Sequence, residues 1–132
     1  MENKIEAAQA LHKKGFNCAQ AVAMAFCQEL GVSEQLVMRA MEGFGAGMGD
    51  RQGTCGALSG AIFVAGLKHS DGNLQAPASK KQTYAICGGM CREFEAQCGS
   101  TVCALIKNPG DGKTAVPCSK CIELGVRLAQ EA

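Results

Sequence analysis

The sequence predicts an all-α fold: a compact bundle of about six to seven helices in which a glycine-rich loop leads into a central helix. Apolar residues recur at three- and four-residue intervals in successive segments. Most of these segments open on a capping residue and close on glycine or a turn cluster. No stretch alternates as a half-buried strand would; Ile62-Phe63-Val64 is β-branched in part, but its flanking glycines and alanines favour helix.

Taken in order, residues 4–14 read as a short amphipathic helix ended by Gly15. Asn17 caps a second helix, with Gln20 as the reciprocal partner of a capping box. Ala21, Val22, Ala25, Phe26 and Leu30 form its apolar stripe, and Gly31 stops it. Ser33 opens a third helix, with Leu36, Val37, Ala40 and Met41 on one face, ending at Gly43.

Residues 43–60, GFGAGMGDRQGTCGALSG, are the pivot of the chain. So many glycines permit positive φ and a close backbone approach. Thr54 is placed as the N-cap of a helix running to His69, with Cys55 in its first turn. Residues 70–78 are turn-forming. Ser79 and Gln82 suggest a second capping box, opening a helix to about Gln97. Gly88-Gly89 inside that helix costs roughly 1 kcal/mol per glycine, which a close helix contact, a ligand or a kink would explain. Ser100 caps a short helix over 100–107, residues 108–116 form a loop, and Pro117 suits the first turn of a helix to about Gln130.

At 132 residues the chain reads as one domain with a real core, residues 1–132. A net charge of +1 gives no electrostatic footprint for nucleic acid or an acidic membrane. Five Phe, one Tyr and no Trp make base-stacking surfaces improbable. The longest apolar stretch, 57–67, is too short to span a bilayer, and the N-terminal residues lack a signal-peptide apolar region. A cytoplasmic location is the resulting expectation.

Nine cysteines are the strong compositional signal. Taken singly, each is most simply a buried thiol. Their number is odd and no export signal accompanies them, so metal ligation or redox chemistry is favoured over structural disulfides. Four of them, Cys18, Cys55, Cys103 and Cys118, fall in the first turns of predicted helices, where the helix dipole favours thiolate. Short loops would make the helices beginning near 17, 54 and 100 parallel, and the loop 108–116, reaching about 30 Å, can return the chain. All four N-termini can then gather at one end.

Four thiolates at helix N-termini suit an iron–sulfur cluster. Without metal they suit two reversible disulfides, and a zinc site with four cysteine ligands is the sober alternative, although its usual paired spacings are absent here. A competing quartet pairs Cys87-x3-Cys91 with Cys118-x2-Cys121. Cys118-Ser-Lys-Cys121 also has redox-motif spacing, but no βαβ pattern surrounds it, and no histidine follows for haem attachment. His12 and His69 read as exposed helix residues, Asp50 and Arg51 as a turn or ion pair. No catalytic base stands out. The glycine loop lacks the Gly-Lys-Ser/Thr ending of a P-loop and follows no strand.

The stretches Gly15-Phe16-Asn17-Cys18-Ala19-Gln20-Ala21-Val22, Gly45 to Gly60, Gly99-Ser100-Thr101-Val102-Cys103 and Cys118 resemble the redox-active C_GCAxxG_C_C family over residues 15–130. They are also similar to the cysteine-bearing portion of split-Soret cytochromes, without the haem-binding portion. The family's characteristic cysteines map onto Cys18, Cys55, Cys103 and Cys118. The central stretch here reads Cys55-Gly56-Ala57 where the family name reads Gly-Cys-Ala, and five cysteines are additional. The resemblance implies a small redox-associated protein. The expected function is electron transfer or redox sensing, with an iron–sulfur cluster held by those four cysteines. A metal-free thiol–disulfide oxidoreductase and a zinc-stabilised interaction module are the alternatives. The implied partner is an unidentified redox protein, with no nucleic acid and no membrane insertion, and a homodimer is left open.

Overall fold

Twelve residues of amphipathic sequence open the chain as α1 (Glu2–Lys13), released by Gly15 at φ +111°. The computed structural model describes residues 2–132. The elements that follow are α2 (Cys18–Met24), α3 (Cys27–Leu30), α4 (Glu34–Met41), a 3-10 turn at Glu42–Phe44 and a single left-handed turn, α5 (Gly45–Met48). Then come α6 (Gly56–His69), α7 (Lys80–Cys98), α8 (Cys103–Lys107) and α9 (Cys118–Glu131). Among the described residues the fold is all-α, and its one piece of extended pairing is an isolated antiparallel bridge between Thr54 and Val102.

The central helix is α6, apolar around its whole circumference and enclosed by α2, α7 and α9. It approaches two of them backbone to backbone: a Cβ on Gly60 would lie 2.7 Å from the Ala19 carbonyl, and a Cβ on Gly125 would lie 2.7 Å from that of Ala57. The main core gathers Phe26, Leu58, Val64, Phe94, Ile106, Ile122 and Val126. A second core of Ala19, Ala23, Met24, Cys27, Val37 and Met41 seats α4 against α2. No described helix is long and apolar enough to cross a membrane.

The Asn17 capping box forms as the sequence predicts: Asn17 Oδ1 accepts from Gln20 N at 2.8 Å, and Asn17 N donates to Gln20 Oε1 at 2.9 Å. The helix it opens is not continuous. Phe26 N–H turns back to the Ala23 carbonyl, three residues away, and the chain breaks between α2 and α3. The break lets Phe26 enter the main core while Met24 and Cys27 enter the second. In α4 only Val37 and Met41 are buried; Leu36 is 62% exposed and Ala40 is exposed, so the stripe is narrower than expected.

Three caps also differ from expectation. Cys55, not Thr54, is the N-cap of α6, because Thr54 is taken up by the bridge to Val102. Ser79 forms no capping box with Gln82, since its hydroxyl accepts from Asp71 N at 2.9 Å instead. Ser100 Oγ accepts from Val102 N, and α8 starts only at Cys103. Among the described residues, Gly88 and Gly89 make no close helix contact: an added Cβ there would meet the Arg92 side chain alone, at 3.4 and 3.9 Å.

Candidate functional site

The site is assembled by four chain segments that each end in a cysteine. The bridge between Thr54 and Val102 fastens two of them, with Cys55 N donating to Thr101 O at 2.7 Å and Cys103 N donating to Gly53 O at 3.0 Å. Cys55 and Cys103 are thereby fixed where α6 and α8 begin. At the far end of α8, Lys107 Nζ donates to Val116 O at 3.0 Å and Ile106 O accepts from Val116 N. Those bonds hold the chain just before Pro117 and place Cys118 at the start of α9. Cys18 follows the Asn17 cap, whose Nδ2 also donates to the Glu42 carbonyl at 2.9 Å.

The glycine-rich loop closes round these cysteines in a left-handed turn. Ala46, Gly47, Met48 and Gly49 have φ of 51°, 57°, 67° and 87° in succession, and Arg51 follows at 67°. Left-handed conformation costs a non-glycine residue roughly 1–2 kcal/mol. Arg51 N donates to Ala46 O at 2.7 Å, Gly53 N to Gly47 O at 3.0 Å, and Ala104 N to Arg51 O at 2.8 Å, which hold the turn in place. Gly47 is required twice over: its φ is left-handed, and a Cβ there would overlap the Cβ of Cys103. Gly56 lies against Cys18, whose Cβ would be 3.3 Å from an added Cβ.

Cys18, Cys55, Cys103 and Cys118 all line one cavity of about 350 Å³, together with His12, Arg51 and Lys107. That volume lies at the small end of the range for ligand pockets, about 300–1,000 Å³. His12 Nε2 is 3.9 Å from Cys18 Sγ, and the ligand atoms of His12, Cys18 and Cys118 lie within 4.8 Å of one another. These three could hold a metal ion. Behind the cavity, the buried Cys121 lies beside Cys55 and Cys98.

The thiols do not share the depressed pKa that helix N-termini alone would give. Cys118 does, lowered to about 5: its hydrogen bond with Cys18 lowers it most, burial opposes, and the hydrogen bond and charge of Lys107 lower it further. The same pairing with Cys118 pushes Cys18 far up, assisted by burial, so the pair holds one thiolate and one thiol at neutral pH. Cys55 is raised by its hydrogen bond with Cys121, then by burial; the N–H groups of Ala57 and Leu58 offset only part of this. Burial comes first in raising Cys103, with Cys55 next. Burial works against the charge on Lys107, but Cys118 beside it, with smaller contributions from Cys121 and Cys55, outweighs burial and raises its pKa.

Sequence reasoning missed His12, which lines the cavity instead of standing free on α1, and Lys107 and Arg51, which face the thiols. His12 carries no spacing signal, because the turn at Gly15 rather than a helical repeat brings it back to Cys18. The competing quartet is not gathered. Cys118 faces the cavity, Cys121 lies behind it, and Cys87 and Cys91 pack from α7 against the main core. Among the described residues, neither of those two joins a metal-sized cluster.

The family model described as "Putative redox-active protein (C_GCAxxG_C_C)" matches residues 16–132. No curated protein and no solved structure matches the chain.

Proposed function

The chain belongs to the C_GCAxxG_C_C family, and from that premise we propose a one-electron carrier or redox sensor whose cavity holds an iron–sulfur cluster on Cys18, Cys55, Cys103 and Cys118. One observation carries this reading: four cysteines from four separate segments line a single small cavity that two cationic side chains, Arg51 and Lys107, also face. Thiolates and bridging sulfides leave such a cluster with net negative charge, which those two cations offset. The spacing of the thiols also favours a cluster over one zinc ion held by all four. Tetrahedral zinc keeps its sulfurs about 3.8 Å apart. Among the described residues, neither Cys55 nor Cys103 belongs to a group of three ligand atoms within 4.8 Å. A cluster of several irons gives each cysteine its own metal and tolerates the wider spread.

When bound, such a cluster takes up and releases single electrons. The chain's own contribution is to hold the four sulfurs, bury Cys55 and Cys103 away from water, and place cations beside them. The redox partner remains to be identified, and a reducing cytoplasm is part of the proposal because the site needs its thiols reduced. Anaerobic reconstitution with iron and sulfide, read by visible absorption and metal analysis, tests it. Cys18→Ser and Cys103→Ser should abolish or remodel the chromophore while Cys27→Ser keeps it. Dispensable Cys18 and Cys103 beside essential Cys87 and Cys91 would overturn the assignment, and stoichiometric zinc in place of iron and sulfide would overturn the cluster.

A second reading has its own observation, the acidic Cys118 thiolate within 4.8 Å of the Cys18 sulfur. Without metal, Cys118 can attack a disulfide substrate, releasing one thiolate and forming a mixed disulfide. Cys18, giving up its proton, then displaces the second thiolate and leaves a Cys18–Cys118 disulfide. Colourless, metal-free protein with reversible thiol titration would select this reading.

A further inference from the structure

We propose that His12, Cys18 and Cys118 form an alternative, mononuclear site in the same cavity for a thiophilic divalent ion such as zinc, with its fourth position open to the cavity. It needs neither Cys55 nor Cys103, and it goes beyond the cluster reading by recruiting a residue outside the family-matched stretch, which begins at residue 16. The geometry is close to that of a two-cysteine, one-histidine centre. A tetrahedral ion with Zn–N of about 2.0–2.1 Å and Zn–S of about 2.3 Å sets its nitrogen and sulfur about 3.6 Å apart and its sulfurs about 3.8 Å apart. His12 Nε2 and Cys18 Sγ already stand 3.9 Å apart, and no pair in the triad exceeds 4.8 Å. Closing on an ion therefore requires shifts of about 1 Å or less, which half-buried side chains make by small rotations.

The supports of the three ligands are independent, so the triad is not a by-product of one strained loop. Cys18 is set by the Asn17 capping box, Cys118 by the bonds Val116 makes with Lys107 as acceptor and with Ile106 as donor, and His12 by the docking of α1. That docking is built in: Ala8 is fully buried in the main core, and Gln9 Nε2 reaches Ser119 O at 3.4 Å, one residue from Cys118. Two thiolates and a neutral imidazole neutralise a divalent ion, and the cavity leaves room for water or a substrate atom at the remaining position. Because Cys18 and Cys118 are common to both arrangements, a single ion on the triad and a four-cysteine cluster exclude each other.

Cobalt(II) is the probe, since thiolate-to-cobalt charge-transfer absorption counts sulfur ligands and d–d intensity reports tetrahedral geometry. The reduced full chain, free of metal and sulfide, is titrated anaerobically. One equivalent should bind with the signature of two thiolates, and Cys55→Ser and Cys103→Ser should leave both spectrum and affinity unchanged. His12→Ala, Cys18→Ser and Cys118→Ser should each weaken binding by roughly tenfold or more, with far-UV circular dichroism reporting that the helices remain. His12→Cys should restore binding with a three-thiolate spectrum. Unchanged affinity in His12→Ala, or equal losses in Cys55→Ser and Cys18→Ser, would overturn the proposal. The cluster reading fails by a different result, the loss of dependence on Cys103 during iron and sulfide reconstitution, so the two can be lost separately.

Discussion

Within the cavity, Cys118 and Cys18 show that a thiol's neighbours outweigh its position on a helix. Both begin helices, yet their pairing lowers one and raises the other. In metal-free, reduced protein, the alkylation rate of Cys118 followed by residue-resolved mass spectrometry should remain high well below neutrality and fall as pH drops through about 5. Cys18→Ala should raise that midpoint more than Lys107→Met does, because the Cys18 hydrogen bond is the larger cause and Lys107 the smaller. An unmoved midpoint in both variants would show that neither contact holds the thiolate. The sign for stability follows: the folded value lies below the ordinary thiol value of 9.0, so ionised Cys118 favours the fold above that value. Its contribution is lost as pH falls from about 9 to about 5.

Among the elements, the two that carry most of the positioning are the Asn17 cap and the left-handed turn. Asn17→Ala removes the side-chain half of the capping box and the bond to the Glu42 carbonyl, and should lower stability by about 1 kcal/mol in chemical denaturation. Gly47→Val meets two obstacles, a φ of +57° and the Cys103 side chain. It should lose cofactor or change thiol reactivity while helix content persists. A Gly47→Val protein with normal metal content and reactivity would reduce the turn to a connector. Gly60→Val is the contrasting case, since its Cβ would press on the Ala19 carbonyl at the α2–α6 crossing. It should destabilise the whole fold by about 1–3 kcal/mol, visible as a lower Tm with or without metal.

At the scale of the molecule, the cavity is where α2, α6, α8 and α9 are drawn to one end, and a bound cofactor would be their common crosspiece. Removing it with chelator under reducing conditions should therefore lower Tm, by an amount that grows with the tightness of binding. Cys27, in the second core away from the cavity, supplies the control: Cys27→Ala should cost only about 1 kcal/mol and leave the cofactor-dependent difference intact. A chelated protein melting at the same temperature as the loaded one would mean that the four segments are held by packing alone.

Much of this was legible in the chain itself, because its signals are local. Helical spacing, the Asn17–Gln20 box, Ser33, Gly31 and Pro117 act over a turn or less, and so fix the all-α fold and the starts of α2, α4 and α9. The same local logic singled out Cys18, Cys55, Cys103 and Cys118, whose segments the fold then gathers round one cavity. Where a local preference competes with a distant partner, the sequence misleads. Thr54 gives up its cap to pair with Val102, Ser79 bonds to Asp71, and Phe26 breaks a helix to reach the core. The charge states of the thiols were equally out of reach, since they follow from which cysteine lies beside which and from burial, both set by chain segments far apart in sequence. His12, Arg51 and Lys107 enter the cavity for the same reason: packing brings them there, and no spacing along the chain announces it.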